Sequence, residues 1–320
     1  MEIISNPTQD EIKKAAKALK DGHLVAFPTE TVYGLGADAT NEKAINRIYS
    51  VKGRPRDHPL IIHISSINQM DKWAIDIPEY AIKLAKKFWP GPITVILKRS
   101  GLAKNYITGN QDTVGLRVPS HPVTLSLLEQ FQRIGGDGVA APSANKFGRV
   151  SPTFASDVIH EIGNDLGKSD LILDGGQCLI GLESTIIDCT GEIPSILRPG
   201  KITLEILKES FEFETSVSNS FNTTRVSGLL EHHYAPKVKI LLNQSPLIGQ
   251  GYLALSTFIT PAGVVRLASP KSLEEFARDL YASMRKADVL GLSYLVIQQP
   301  TGNGIAVAIR DRLIKAAKGK

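Results

Sequence analysis

Residues 8–27, TQDEIKKAAKALKDGHLVAF, place a helical pattern directly before an apolar strand pattern. Thr8 and Glu11 have the spacing of a capping box, in which each side chain bonds the other residue's backbone N–H. The apolar residues that follow recur at helical spacing, which predicts a helix over 9–20. The sequence HLVAF then predicts a strand over 23–27. This helix–strand unit sets the pattern for the next 170 residues or so.

The same alternation of short apolar segments and amphipathic segments continues to about residue 210. Further strands are predicted at 60–64, 93–98, 113–118, 138–141, 170–174, 184–188 and 194–198. Further helices are predicted at 41–50, 78–88, 121–133, 153–162 and 203–210. Interleaving of this kind indicates an α/β sheet. Several connections are too short for a crossover helix, so a mixed sheet is expected rather than a parallel one.

A change of composition after residue 210 predicts a second domain. Residues 211–233 are rich in Ser, Thr and Asn and lack periodicity, which is typical of a linker or a flexible lid. A second α/β set follows, and we expect a small three-layer sandwich with a mostly parallel sheet. The expected division is a catalytic domain at 1–210, a linker at 211–236 and a C-terminal α/β domain at 237–320.

Composition limits the classes of protein to which the chain can belong. It has 320 residues, 42% of them hydrophobic, and 37 Lys and Arg against 32 Asp and Glu, a net charge of +5. A mildly basic chain suits anionic partners such as nucleotides or RNA. Cys178 and Cys189 have neither disulfide-framework nor zinc spacing. The N-terminus has no signal pattern and no apolar run reaches 18 residues, so a cytoplasmic protein without membrane contact is expected.

Two short patterns suggest ligands but lack the required context. Gly34-x-Gly36-x-x-Ala39 matches a dinucleotide fingerprint, but PTETVY separates it from the preceding strand. A tight glycine turn beside a ligand is the favoured interpretation. His232 and His233 have no cysteine or carboxylate cluster to complete a metal site, and we expect exposed linker histidines.

Three segments concentrate the residue types that bind anions. KGRPRDHPL, residues 52–60, is basic and stiffened by prolines, so it fits either a phosphate site or a helix end complemented by cations. Arg117 lies among apolar strand residues, where a buried guanidinium needs a carboxylate or phosphate. Ser143, Asn145 and Ser151 precede a predicted helix, whose N-terminus attracts anions.

The order and spacing of eight segments carry more information than any one of them. They are FPTETVYGLG (27–36), KGRPRDHPLIIHI (52–64), FWPGPITVIL (88–97), TVGLRVPSHP (113–122), APSANKFGRVSPT (141–153), ILDGG (172–176), GLESTIID (181–188) and ILRPG (196–200). Together they closely resemble the YrdC-type threonylcarbamoyl-AMP synthases over residues 1 to about 205. HHYAPKVKI (232–240) and the second α/β unit resemble the longer, two-domain form of that family.

The resemblance implies an open twisted mixed sheet of YrdC type with a basic concave face, followed by a smaller Rossmann-like domain. It implies an ATP-dependent nucleotidyltransferase that converts L-threonine, bicarbonate (or carbon dioxide) and ATP into L-threonylcarbamoyl-AMP and pyrophosphate. A separate threonylcarbamoyl transferase complex then modifies the adenosine next to the tRNA anticodon. Mg²⁺ is expected with ATP, held by phosphates because no carboxylate cage is evident, and tRNA binding is a further expectation.

The resemblance also assigns roles to fourteen residues. Those expected at ATP, with Lys52 and Arg54 also expected to be catalytic, are Lys52, Arg54, His58, Thr113, Ser143, Asn145, Ser151, Arg198 and Tyr234. Those expected at threonine are Thr29, His63, Arg117, Ala141 and Ser184, with Arg117 pairing with the amino acid's carboxylate and Ala141 contributing backbone only. Tyr234 would come from the linker, which folds over the site. His58 stands where the family more often has Asn, so a contact there would depend on pH.

Two other functions stay open on the sequence. One is a non-catalytic RNA-binding module for tRNA or ribosome maturation that uses the basic face. The other is a carbamoyl-transfer maturation factor that contains a YrdC-like unit, although no zinc-finger cysteines accompany it. The basic pair, the S-x-N pair and Tyr234 favour the synthase, because RNA binding alone needs no threonine pocket.

Overall fold

A computed structural model of the chain describes residues 1–211, 216–217, 225–228 and 233–319. Eleven strands form one mixed sheet in the order β1-β8-β2-β3-β7-β4-β6-β5-β9-β10-β11. In chain order they are β1 (Glu2–Ser5), β2 (Val25–Phe27), β3 (Gly34–Asp38), β4 (Ile61–His63), β5 (Ile93–Lys98), β6 (Thr113–Arg117), β7 (Val139–Ala140), β8 (Leu171–Asp174), β9 (Thr185–Asp188), β10 (Ser195–Arg198) and β11 (Ser216–Val217).

The helices of this first unit lie close to their predicted positions. They are α1 (Gln9–Lys20), α2 (Glu42–Lys52), α3 (Met70–Trp73), α4 (Glu79–Phe88), α5 (Asn105–Thr108), α6 (Pro122–Arg133), α7 (Ala155–Ile162) and α8 (Leu204–Ser210). The capping box at the start of α1 is confirmed, with both reciprocal bonds between Thr8 and Glu11 present. Strand β1 and the one-turn helices α3 and α5 were not predicted, because four-residue elements carry too little periodicity.

The pairing of the sheet confirms the mixed arrangement and places the ends of its strands. Strand β4 runs parallel to β6, so that His63 pairs with Arg117 at the last residue of each strand. Strands β5 and β6 are antiparallel, as are β9 and β10. Arg198 is the last residue of β10. Three chemically distinctive side chains therefore lie where strands end and loops begin.

The glycine turn predicted at Gly34 and Gly36 is wrong, because both residues belong to strand β3. A Cβ on Gly36 would lie 2.5 Å from the ring of Phe27 and 2.7 Å from Val139. The glycine is needed there because a neighbouring aromatic ring fills the place of its side chain. The requirement depends on cross-strand packing, which the local sequence does not reveal.

The second unit contains a four-stranded parallel sheet in the order β12-β15-β13-β14, which confirms the predicted strand direction. Its elements are β12 (Lys239–Leu242), β13 (Gly251–Leu253), β14 (Val265–Ala268), α9 (Leu273–Val289), β15 (Tyr294–Ile297) and α10 (Ile305–Ala317). Ser272 caps α9 as predicted, accepting a bond from the Glu275 N–H. The Glu275 carboxylate accepts from the backbone of Lys271 instead, so the predicted box forms only in part.

The predicted three-layer sandwich is wrong, because both helices of this unit lie on one face of its sheet. Helices α9 and α10 contact each other and share one apolar core with that face. Side chains on the opposite face, such as Tyr252 and Val296, form a separate small cluster with Val264 from a loop. The loops that join β12 to β13 and β13 to β14 contain no helix, so residues 237–319 form two layers.

The helices of the second unit also pack against the first unit. Their core includes Val32, Val150 and Leu182 from the large sheet's loops. Gly181 has a positive φ of 76°, and a Cβ there would lie 2.5 Å from the Cα of Arg278 on α9. The backbones of the two units therefore meet closely at the GLEST segment. Among the described residues, none of the helices has the length and apolar character needed to cross a bilayer.

Candidate active site

One pocket gathers side chains from both halves of the large sheet and from the linker. Nine of the fourteen residues singled out in the sequence line it: Thr29, Arg54, His63, Arg117, Ala141, Ser143, Ser184, Arg198 and Tyr234. Glu183, Ser227, Gly228 and His233 complete much of its wall. Residues far apart in the chain meet here because strand ends and the linker converge on the same face.

Arg117 is buried at one end of the pocket and has one donor to spare. Its Nη2 donates to the carboxylate of Glu30 at 2.7 Å and to the hydroxyl of Thr31 at 2.9 Å. Its Nε is buried and has no hydrogen-bond partner among the described residues. An unpaired buried guanidinium N–H is costly, and a carboxylate ligand would satisfy it.

Hydroxyl groups lie close to this arginine. The Thr29 hydroxyl donates to the carbonyl of Val32 at 2.7 Å and lies 2.8 Å from the hydroxyl of Thr31. The Ser184 hydroxyl is 2.8 Å from that of Thr94 and accepts from the Arg198 Nη2 at 3.2 Å, so it reaches towards the other side of the pocket. The backbone N–H of Ala141 already bonds the carbonyl of Ile61, which fixes the residue beside β4. This end of the pocket offers a cation and several hydroxyls, suited to a small hydroxylated carboxylate.

Arg54 and Arg198 reach the pocket from the other side and meet at Ser227 of the linker. The Arg54 guanidinium donates to the Ser227 hydroxyl at 3.0 Å, and that of Arg198 donates to the Ser227 carbonyl at 2.9 Å. Neither arginine forms a salt bridge with any described carboxylate. Burial lowers the pKa of Arg54 to about 10 and also lowers that of Arg198. Two buried cations without acidic partners make a site for an anion.

Lys52 and Asn145 lie behind the pocket and hold its wall. The Lys52 ammonium donates to the carbonyl of Ser143 at 2.6 Å and to that of Asn145. The Asn145 amide donates to the carbonyls of Lys146 and Arg149, each at 2.9 Å. Burial, and then Arg54, lower the pKa of Lys52. These two side chains therefore brace the loop that carries Ser143 and do not line the cavity, and their expected contacts with ATP stay predictions.

The remaining three residues singled out in the sequence lie near the pocket without lining it. His58 has its ring 5.2 Å from that of Phe147, and burial lowers its pKa. Thr113 lines a small neighbouring cavity that also includes Ser227. Ser151 donates its hydroxyl to Glu183 at 2.6 Å. Their expected contacts with ATP stay predictions.

The expectation of exposed linker histidines is wrong for His233, whereas His232 lies outside the described residues. His233 is 7% exposed, and its ring centre lies 4.1 Å from that of Tyr234. Tyr234 has a positive φ of 63°, and its buried hydroxyl has no partner among the described residues. Burial raises the pKa of that hydroxyl, which remains a neutral donor. Of the predicted linker, the parts at 212–215, 218–224 and 229–232 are likewise outside the described residues.

Sequence reasoning gave no role to Glu183, Glu30 or Ser227, although the structure places each at the site. Glu183 stands inside the quoted GLEST motif, so a signal was present. Glu30 stands inside FPTETVYGLG in the same way. Ser227 belongs to a polar stretch without periodicity, and nothing in the local sequence distinguishes it.

A metal site in a protein needs several carboxylate, imidazole or thiolate groups close together. The described residues contain no group of three or more His, Cys, Asp or Glu side chains placed to hold an ion. Glu183 is the carboxylate in the pocket wall, and its oxygens accept from Ser151, Tyr281 and Arg312. The described residues of the pocket therefore provide no ligand set for Mg²⁺.

Two buried histidines lead to a prediction about stability and pH. Burial lowers the pKa of both His63 and His233 to about 3, with Arg117 adding to the effect at His63. The unfolded chain takes up protons near pH 6.5 while the folded chain does not, so stability falls as pH drops below that value. Between pH 7 and pH 5 the free energy of unfolding should fall by about 2 kcal/mol for each of the two.

Urea unfolding of the wild type and of His63→Asn, each at pH 7 and pH 5, checks this. From pH 7 to pH 5, the free energy of unfolding of the variant should fall by about 2 kcal/mol less than that of the wild type. His160→Asn, at an exposed position on α7, should keep the full decline. An equal decline in the wild type and in His63→Asn would contradict the assignment of a neutral buried imidazole.

Two family models match the chain. The Sua5/YciO/YrdC family, described as "Telomere recombination", matches residues 17–200, and the family "Threonylcarbamoyl-AMP synthase, C-terminal domain" matches residues 202–318. The threonylcarbamoyl-AMP synthase of Pyrococcus abyssi is 38% identical over 96% of this chain and 94% of its own length. That of Bacillus subtilis is 37% identical over 100% of this chain and 96% of its own length.

A solved structure is similar over nearly the whole chain. The crystal structure of P. abyssi Sua5 complexed with L-threonine has a TM-score of 0.89 and 36% sequence identity, covering 99% of this chain and 97% of that one. This coverage includes both sheets, and therefore the unit that follows residue 200. The chain therefore belongs to the Sua5/YciO/YrdC family, in the form that carries the threonylcarbamoyl-AMP synthase C-terminal domain.

Proposed function

We propose that the chain is an L-threonylcarbamoyladenylate synthase, which makes L-threonylcarbamoyl-AMP and pyrophosphate from L-threonine, bicarbonate and ATP. The observation that carries the proposal is the pocket, in which a buried arginine with a spare donor adjoins two buried arginines without acidic partners. The first suits an amino acid carboxylate and the second pair suits a polyphosphate. The relatives named as this enzyme, and the relative complexed with L-threonine, support it.

In the proposed complex, the threonine carboxylate binds Arg117, and hydroxyl groups around Thr29 and Ser184 receive its polar groups. Arg117 would then satisfy its free Nε, which is the orphaned donor seen in the structure. His63 stays neutral at physiological pH because of its lowered pKa, so it can receive or donate a hydrogen bond without adding charge.

The phosphates are proposed to bind Arg54 and Arg198, next to the hydroxyl of Ser143. Bicarbonate is first dehydrated to carbon dioxide and water, and the threonine amine then adds to carbon dioxide and loses a proton, which gives a carbamate. The carbamate oxygen then attacks the α-phosphorus while the bond to the β-phosphate oxygen breaks, and pyrophosphate leaves with the electron pair. Such a step needs alignment and charge neutralisation more than a protein nucleophile. Lys52 contributes by fixing the loop at Ser143.

The linker is proposed to open for nucleotide and to close over it. In this structure the volume of the pocket is about 60 Å³, with Ser227, Gly228 and Tyr234 forming part of its wall. Sites for ligands of nucleotide size are usually several hundred cubic ångströms, about 300–1,000 Å³. Entry of ATP therefore requires these residues to move outward, after which the Tyr234 hydroxyl can donate to the ligand.

Other parts of the proposal follow from the same family. They are that the enzyme is a nucleotidyltransferase and that it uses Mg²⁺ carried by the ATP phosphates. A separate transferase is proposed to transfer the product to tRNA. Direct tRNA binding, a cytoplasmic location and the division at 1–210, 211–236 and 237–320 also remain proposals. No chemical step is assigned to the metal, since the described pocket residues provide no ligand set for it.

The proposal is tested by supplying ATP and bicarbonate with one amino acid at a time. Pyrophosphate should be released with L-threonine and not with L-valine, which has a similar shape but lacks the hydroxyl. A product with the mass of L-threonylcarbamoyl-AMP should accumulate in step, and Arg54→Ala should abolish both signals. Release that ignores the amino acid would contradict the proposal.

A further inference from the structure

Glu183 is a carboxylate in the wall of a pocket that is otherwise suited to anions. It is 7% exposed, and it precedes Ser184 in the chain. Its Oε2 accepts from the Nε of Arg312 at 3.0 Å and from the hydroxyl of Tyr281 at 3.1 Å, and its Oε1 accepts from Ser151 at 2.6 Å. Both oxygens are therefore engaged, and two of the three donors come from the second unit.

The guanidinium of Arg198 is hydrogen-bonded to neutral acceptors and not to Glu183. Its guanidinium donates to the carbonyl of Ser184 through Nε at 3.1 Å and through Nη2 at 2.9 Å, and to the carbonyl of Ser227. These neutral acceptors leave its charge uncompensated, although Glu183 lies close enough to interact with it. Burial alone would raise the pKa of Glu183, but Arg312 first and then Arg198 outweigh it and lower that pKa to about 2. Glu183 is thus a full negative charge whose main partner is Arg312.

Helix α10, which carries Arg312, also contacts the linker. The Arg312 guanidinium carbon lies 5.4 Å from the ring centre of Tyr234, and Tyr281 stacks on that ring at 5.7 Å. Lys315, one turn further along α10, donates to the carbonyl of Gly228 at 2.8 Å. Arg312 is fully buried, and its Nη1 also donates to the carboxylate of Asp311 at 2.6 Å, which Lys315 shares at 2.8 Å. Both described parts of the linker near the pocket therefore rest on α10.

We propose that Arg312 is a positioning residue for the nucleotide, which neutralises Glu183 so that Arg198 remains available to an anionic ligand, while it supports Tyr234 from below. The inference rests on the proposed function, since it takes the anion to be the ATP polyphosphate. It assigns the second unit a part in substrate binding. Without Arg312, the buried carboxylate would draw Arg198 to itself, because an unpaired buried charge is costly.

The test compares three variants by calorimetric titration of ATP into the full chain. Arg312→Met should weaken ATP binding at least about tenfold, which corresponds to about 1.4 kcal/mol. Arg312→Met with Glu183→Gln removes both charges, and it should bind ATP within about threefold of the wild type. Arg310→Met is the matched control, because Arg310 lies on the same helix and donates outward to the carbonyls of Pro300 and Gly302. It should bind ATP like the wild type.

Recovery of ATP affinity in the double variant is the outcome that a merely structural role of Arg312 would not produce. The double variant has no carboxylate at position 183 to compete for Arg198, so its ATP affinity can be measured even if Arg312→Met fails to fold. A folded double variant that binds ATP ten times more weakly than the wild type would overturn the proposal, as would equal losses in Arg312→Met and Arg310→Met. The four proteins could show this pattern of ATP affinities while the wild type makes no threonylcarbamoyl-AMP. The proposed function would then fail, and the inference about Arg312 would stand for nucleotide binding.

Discussion

Replacing Arg117 with methionine is expected to raise the KM for L-threonine at least about a hundredfold, which corresponds to about 2.7 kcal/mol. Arg117 is 5% exposed, and its Nε has no partner among the described residues. A charge-assisted bond from a buried guanidinium to a carboxylate is worth about 1.5–3 kcal/mol, and the Arg117 Nε offers one such bond to the amino acid. Methionine fills similar space and offers no donor.

The measurement needs a second substitution, because Arg117 also pairs with Glu30. Both side chains are 6% exposed, and removing one partner of a buried pair costs about 3–5 kcal/mol of stability. Glu30→Gln with Arg117→Met avoids the unpaired charge and is the variant to assay. Its KM for threonine should rise while its affinity for ATP changes less than about threefold. Arg99→Met, at a half-buried arginine just after β5, serves as control and should keep the wild-type KM. A double variant with an unchanged KM would contradict the assignment of the threonine carboxylate to Arg117.

Lys52→Met is expected to lower kcat/KM at least about a thousandfold, or about 4 kcal/mol. Lys52 is 2% exposed and its ammonium bonds two carbonyls of the loop that carries Ser143. Each carbonyl left without a donor in a buried place costs about 1–3 kcal/mol, so the loop would move to regain partners. A displacement of about 1 Å at a site that works by alignment costs about a hundredfold in rate on its own.

Lys146→Met provides the matched control for Lys52. Lys146 also donates to a backbone carbonyl, that of Val51 at 2.7 Å, but its side chain is 36% exposed and pairs with Asp165. Water can replace its bond, so activity should stay within about threefold of the wild type. Initial rates of pyrophosphate release at saturating threonine, with ATP varied, give kcat/KM for all three proteins. A kcat/KM for Lys52→Met within tenfold of the wild-type value would show that the bonds from Lys52 to the two carbonyls do not position the loop at Ser143.

Local sequence predicted the helices and most strands because capping and periodicity are local properties. Helix α1 begins after Thr8 and ends at Lys20, as its capping box and apolar spacing indicate. The errors concern contacts made across the fold. Gly36 is a strand residue because the ring of Phe27 lies against it, and the second unit has two layers because two of its loops contain no helix.

The site shows the same division between local and non-local information. The motifs brought Arg54, Arg117 and Arg198 to attention, and all three line one pocket. The sequence could not show that Lys52 points behind the wall, because its partners are carbonyls that lie more than 90 residues away. Nor could it show that His233 is buried against Tyr234, since residues on either side of it read as a polar linker.

One pocket is proposed to bind threonine at Arg117 and the ATP phosphates at Arg54 and Arg198. A crystal structure of the protein with L-threonine and a non-hydrolysable ATP analogue tests it most directly. We expect the amino acid carboxylate within hydrogen-bond distance of the Arg117 Nε, and phosphate oxygens within hydrogen-bond distance of the Arg54 and Arg198 guanidinium groups. Density for the nucleotide at a different surface, with Arg54 and Arg198 still bonded to Ser227, would contradict it.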